Sequence, residues 1–161
     1  MKKLKSTKHC FISLLCIVSM GFLYANDANA AKSNEVKQLS CEHMADPVGI
    51  DTKLPRLSWV LTSGQREQVQ TAYQVLVASS PGLLKEKKAD LWNSGKVESD
   101  QSILVEYGGK PLGSRDRCWW IVRVWDKNGK TSDWSGTGYF ELGLLDPEGW
   151  KASWIRSARA S

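Results

Sequence analysis

Ten consecutive residues, Arg117 to Asp126 (RCWWIVRVWD), constrain this chain more than any other segment. Alternation puts Cys118, Trp120, Val122 and Val124 on one side of an extended backbone, and Trp119, Ile121, Arg123 and Trp125 on the other. Apolar side chains on both sides call for a strand well inside a sheet and covered on both faces. Lys127-Asn128-Gly129-Lys130 then reads as a hairpin turn, with Asn-Gly suited to positive φ. Gly138 to Gly143 (GYFELG) is the returning strand.

The remainder follows the same pattern of short strands and turn residues, which predicts an all-β sandwich of the immunoglobulin or fibronectin-type-III kind. Val36 to Glu42 is a first strand, broken by Pro47 and Gly49. Arg56 to Leu61 follows, with Leu57, Trp59 and Leu61 turned inward. Thr71 to Ser79 places Tyr73, Val75 and Val77 on one face and Ala72, Gln74, Leu76 and Ala78 on the other. A short helix is expected near Pro81 to Lys88, then brief edge strands at Leu91 to Gly95 and Ser102 to Tyr107. No internal repeat or low-complexity tract is visible.

The N-terminus has a different character. Lys2, Lys3, Lys5 and Lys8 precede an apolar run, Cys10 to Tyr24, and Ala28-Asn29-Ala30 is a small-x-small cleavage signal, so residues 1–30 read as a secretory signal peptide. Its removal takes four lysines and Asp27 from a chain of net charge +5, leaving about +2 and no basic footprint for nucleic acid. The apolar run of about fifteen residues is shorter than the roughly 20 that span a bilayer, so no membrane span is expected once the signal is removed. An exported chain, periplasmic or extracellular, is the expectation. Residues 31–145 then form the sandwich, and 146–161 read as a linker and the truncated start of a next domain.

Cutting at residue 30 also removes Cys10 and Cys16, leaving Cys41 and Cys118. These could be two buried thiols, or one bridge closing a 77-residue loop, worth about 4.5 kcal/mol on the chain-entropy view. With His43 they fit no zinc spacing, and neither a metal nor a cofactor is expected.

Catalytic constellations are equally absent from the pattern. Glycoside hydrolysis uses two carboxyl groups facing one another. Asp90, Glu98, Asp100, Asp126 and Glu141 instead fall at strand ends and turns, where solvated or capping carboxylates belong. A serine nucleophile would need a histidine base, and His43 alone follows residue 30. No glycine-rich phosphate loop leads into a helix.

All eight tryptophans lie beyond residue 30. Trp59 and Trp120 alternate inward. Trp119, Trp125 and Trp134 lie on or near the outward face, where they could stack on a sugar ring or pack on a neighbouring domain. Arg123, between Trp119 and Trp125 in sequence, suggests a guanidinium–indole ladder. Ser132-Asp133-Trp134-Ser135 resembles the Trp-Ser corner of receptor fibronectin modules, where such a ladder is structural. Trp150 and Trp154 are expected at a domain junction.

Several ordered motifs in one register resemble a known family. They are Cys41-Glu42, Pro47-x-Gly49-Ile50-Asp51, Pro55-Arg56-Leu57-Ser58-Trp59, Gln70-Thr71-Ala72-Tyr73-Gln74, Asp90-Leu91-Trp92-x-Ser94-Gly95-Lys96-Val97 and Trp120-x-Val122-Arg123-Val124-Trp125-Asp126. Phe140-Glu141-x-Gly143-Leu144-Leu145 and Trp150-x-Ala152-x-Trp154-Ile155 complete the set. The whole is similar to the N-terminal fibronectin-type-III-like module of bacterial α-L-rhamnosidases, glycoside hydrolase family 78. The resemblance implies an exported multidomain enzyme in which jelly-roll modules and an (α/α)6 barrel follow, the barrel removing terminal L-rhamnose with inversion. Its partners would be the following domains and, through the full-length protein, rhamnose-containing glycans. A twelve-helix barrel needs on the order of 200 residues, so no catalytic residue is carried over and this chain is expected to be inactive alone. The alternative is a stand-alone carbohydrate-binding fibronectin-like module.

Overall fold

The structure, a computed structural model, describes residues 34–64, 66–146, 149 and 151–153. The signal segment 1–30 lies outside the described residues, as do the two expected junction tryptophans, Trp150 and Trp154. In chain order the elements are β1 (Glu35–Cys41), β2 (Val48–Ile50), β3 (Arg56–Thr62), β4 (Gln70–Ala78), α1 (Pro81–Lys85), β5 (Trp92–Asn93), β6 (Val97–Glu98), β7 (Val105–Glu106), β8 (Arg117–Asp126) and β9 (Gly138–Leu142).

Two sheets share one core. The smaller runs β1-β3-β7; the larger runs β2-β9-β8-β4-β5, with β6 also paired to β4. Cys118, Trp120, Val122 and Val124 of β8 and Tyr73, Val75 and Val77 of β4 face Val36 and Cys41 of β1 and Leu57 and Trp59 of β3. This β-sandwich is the all-β class expected from the alternation. At its centre, the Trp59 indole N–H donates to Gln70 Oε1 (2.9 Å), and Gln70 Nε2 donates to the carbonyls of Ser99 and Gln101. One buried amide thus satisfies an indole and fixes the loop ahead of β7. Trp120 requires Gly138 opposite it, because a Cβ there would lie 2.6 Å from the indole nitrogen.

The far side of β4 and β8 is covered as the two-sided pattern of β8 demands. Leu76, Ala78 and Ile121 pack beneath Leu84 of α1, with Trp119 and Trp134 against the same cluster. The helix stops at Lys85, short of the expected Lys88. Lys87 takes φ +57°, and its amide and that of Lys88 return to the carbonyls of Leu84 and Leu83. That is a helix-ending turn made without the usual glycine.

Two pairings differ from the sequence expectation. The stretch around Pro47 and Gly49 does not merely break β1. Val48–Ile50 pairs parallel to β9, with a register shift at Gly49 (φ +85°) that turns exposed Val48 outward beside Glu141 and buries Ile50 beside Leu142. Nor does the hairpin after β8 lead straight into β9. Of β8, only Arg117 to Trp120 pair with β9. Beyond that, the amides of Ser135 and Ser132 donate to the carbonyls of Val122 and Val124, while their hydroxyls accept from the amides of the same two valines (3.0 and 3.1 Å). Two hydroxyl oxygens stand where a neighbouring strand's carbonyls would be. In the turn itself only Gly129 has positive φ, and Asp126 Oδ1 accepts from the amides of Asn128 and Lys130.

Candidate functional site

The outer face of the larger sheet gathers the candidate surface residues, and the cluster under α1 separates them into two groups. On one side, Arg123 faces Gln74 across the β4–β8 register. Its Nε and Nη2 both donate to Gln74 Oε1 (3.0 and 2.8 Å), and Gln74 Nε2 donates to Asn93 Oδ1. So held, the guanidinium lies 4.7 Å from the ring centroid of Trp134 and 5.0 Å from that of Trp125. Lys87 Nζ is 5.2 Å from the Trp134 ring and Lys96 Nζ 5.3 Å from the Trp125 ring. The expected ladder therefore exists with a different membership: Arg123 lies between Trp125 and Trp134, and Trp119 is not in it. Each of the two indoles already has two cations at stacking range, contacts worth roughly 0.5–1 kcal/mol apiece at exposed sites. A sugar stacking on these rings would have to displace a charge.

Trp119 belongs to the other group. It pairs across the β8–β9 register with Tyr139, their rings 5.2 Å apart and tilted by 55°. Tyr139 Oη donates to Glu141 Oε2 (2.5 Å), and Arg117 Nε donates to the same oxygen (3.0 Å). The Tyr139 hydrogen bond, helped by the Arg117 charge, holds the Glu141 carboxyl below its ordinary range. Desolvation, then the hydrogen bond to Glu141, pushes Tyr139 up to about 12. Arg117, Tyr139 and Val48 were not singled out from the sequence, and Glu141 was weighed there only as a strand-end carboxylate. The alternation of GYFEL does set Tyr139 and Glu141 apart from Phe140, yet only the strand register brings them beside Trp119.

Four of the five carboxylates weighed for catalysis, Glu141 included, have partners of their own. Asp90 accepts from the amide and hydroxyl of Ser79 (2.9 and 2.6 Å), Glu98 pairs with Lys96 at 2.6 Å, and Asp126 builds its turn and accepts from Asn34 (3.1 Å). Among the described residues no group of three His, Cys, Asp or Glu is placed to hold a metal ion. Cys41 and Cys118 are free thiols, both buried in the shared core, with no bridge between them. Burial first, then nearby negative charge, pushes each up to about 12. Such thiols are poor nucleophiles and pack as small apolar groups.

Comparison with known proteins gives a consistent result. A family model described as "Rha78A-like, N-terminal immunoglobulin domain" matches residues 36–146. An alpha-L-rhamnosidase of Streptomyces avermitilis is 47% identical over 116 residues, covering 72% of this chain and 11% of that protein. One from Formosa agariphila is 38% identical over 144 residues, covering 89% of this chain and 15% of that protein. The crystal structure of the Streptomyces avermitilis enzyme complexed with L-rhamnose superposes with a TM-score of 0.74 at 45% identity, over 77% of this chain and 12% of that one. The Dictyoglumus thermophilum alpha-L-rhamnosidase structure gives 0.73 at 38% identity, over 79% of this chain and 14% of that one. This chain thus spans only about a seventh or less of the length of these relatives.

Proposed function

The chain belongs to the Rha78A-like N-terminal immunoglobulin domain family, and from that premise we propose that it is the noncatalytic β-sandwich module of an exported α-L-rhamnosidase. It packs against and positions the domains that follow, while hydrolysis of terminal α-L-rhamnose from glycosides takes place in the parent enzyme's catalytic barrel. The observation that carries this reading is the coverage: most of this chain aligns with about a tenth to a seventh of each relative, one domain's worth. The local chemistry is compatible. Asp90, Glu98, Asp126 and Glu141 each hold a turn, a strand edge or a neighbouring side chain, and none faces a second carboxylate in a hydrogen-bonded pair.

The proposal is tested by incubating the purified chain with an aryl α-L-rhamnoside and following release of the aryl alcohol. No turnover above buffer is expected. Measurable hydrolysis that survives repurification would overturn the noncatalytic reading.

A further inference from the structure

We propose that Cys41 and Cys118 close a disulfide across the core when the chain folds in an oxidising environment, the two free thiols being its reduced form. Contacts elsewhere along β1 and β8 set the two cysteines opposite each other. Just ahead of β1, Asn34 Nδ2 donates to Oδ2 of Asp126, the last residue of β8 (3.1 Å). Further along, a Cβ built on Gly138 would lie 3.2 Å from Leu39 Cδ1 and 2.6 Å from the Trp120 indole nitrogen, so Leu39 stands beside Trp120. The two strands therefore run antiparallel across the core. Cys41 comes two residues after Leu39 and Cys118 two before Trp120, and a step of two keeps each side chain on the inward face. Both belong to the one shared core cluster.

The spacing suits a bridge. Cα atoms of β1 and β8 approach within 8 Å, close to the span of about 4.4–6.8 Å that a disulfide allows. Charge on Cys118 is also one of the causes, after burial and Glu42, that raise the ionisation of Cys41, so each sulfur lies within the other's field. The bridge would fasten β1, at the edge of the smaller sheet, to β8, inside the larger one.

Closure needs an external disulfide such as oxidised glutathione. One cysteine thiolate attacks it, forming a mixed disulfide and releasing one thiol; the other cysteine then attacks the protein sulfur, forming Cys41–Cys118 and releasing the second thiol. Two protein thiols are oxidised and one external disulfide is reduced. In the folded core burial suppresses the thiolates that this exchange requires. The exchange therefore takes place while the chain folds, before the core shuts, and the bridge records the compartment in which folding occurred. Its place in the cell rests on the export reading above; the closure itself does not.

The test uses the purified chain carrying Cys10→Ser and Cys16→Ser, so that only the two core thiols remain. It is unfolded in urea, refolded in a mixture of reduced and oxidised glutathione, and trapped with an alkylating reagent. The expected product is a monomer with native circular dichroism, no alkylated cysteine and a mass about 2 Da below the reduced chain, two hydrogen atoms having left. Digestion without reductant should yield one peptide pair joined through Cys41 and Cys118. Its folded-to-unfolded ratio in urea should exceed that of the reduced chain by roughly a hundredfold. Reduced native chain kept in the same mixture without urea should stay alkylatable, after unfolding, over the time in which the refolding sample closes. Two alkylated cysteines in the refolded native chain, bridges found only between chains, or closure at the cost of the native fold would each overturn the proposal. Closure of the native chain as fast as the refolding one would overturn its timing. A bridge that forms on refolding but is missing from protein recovered outside the cytoplasm would count against the export reading and not against the pair.

Discussion

Cys41 and Cys118 show how position alone can convert a reactive group into an inert one. Unfolded thiols ionise near the ordinary value of 9.0, and both rise to about 12 in the folded sandwich. Between those values the folded chain keeps protons that the unfolded chain gives up, so this contribution to stability is complete below pH 9 and is lost as the pH climbs toward 12. Tyr73 and Tyr107, whose ionisation burial also raises, act in the same direction. Urea unfolding midpoints should accordingly fall steadily above about pH 9. The slope should be shallower when both cysteines are replaced by alanine; an unchanged slope would assign the loss to the tyrosines. At neutral pH the native thiols should react with a disulfide reagent only as fast as the chain opens.

At the level of elements, a single amide couples the two sheets. Gln70 begins β4, binds the Trp59 indole of β3 and holds the carbonyls of Ser99 and Gln101. Gln70→Leu keeps the volume but strands a buried indole N–H and frees that loop. A loss of roughly 1–3 kcal/mol in urea unfolding is expected, with faster hydrogen exchange in residues 99–104. β8 was legible in the sequence to the residue, because its two-sided alternation is a property of the strand itself. β3, β4 and β9 were legible within one residue at either end, for the same reason. β2 was not: three residues between Pro47 and Asp51 carry no period, and they become a strand only because β9 offers an edge. The early end of α1 was hidden because a lysine, Lys87, performs the turn usually given to glycine. The site was half legible. The outward tryptophans follow from alternation, but the partition of Trp119 from the Arg123 ladder depends on which strands become neighbours, and a single sequence does not state that.

For the molecule as a whole, the export reading makes a claim that protein sequencing can check. If residues 1–30 are a cleaved signal, protein recovered from outside the cytoplasm should begin at Ala31; retention of Met1 there would overturn that part of the proposal. The sandwich that remains has its most apolar strand, β8, matched by β9 along only four residues. Alongside Val122 and Val124 the hydroxyls of Ser132 and Ser135 occupy the amide groups that another polypeptide would need in order to add itself to the sheet. An unblocked stretch of such composition is a template for fibril growth. The two serines thus act as a guard on the chain's most adhesive segment, and their worth is better measured by how long a concentrated solution stays clear than by any change in unfolding free energy.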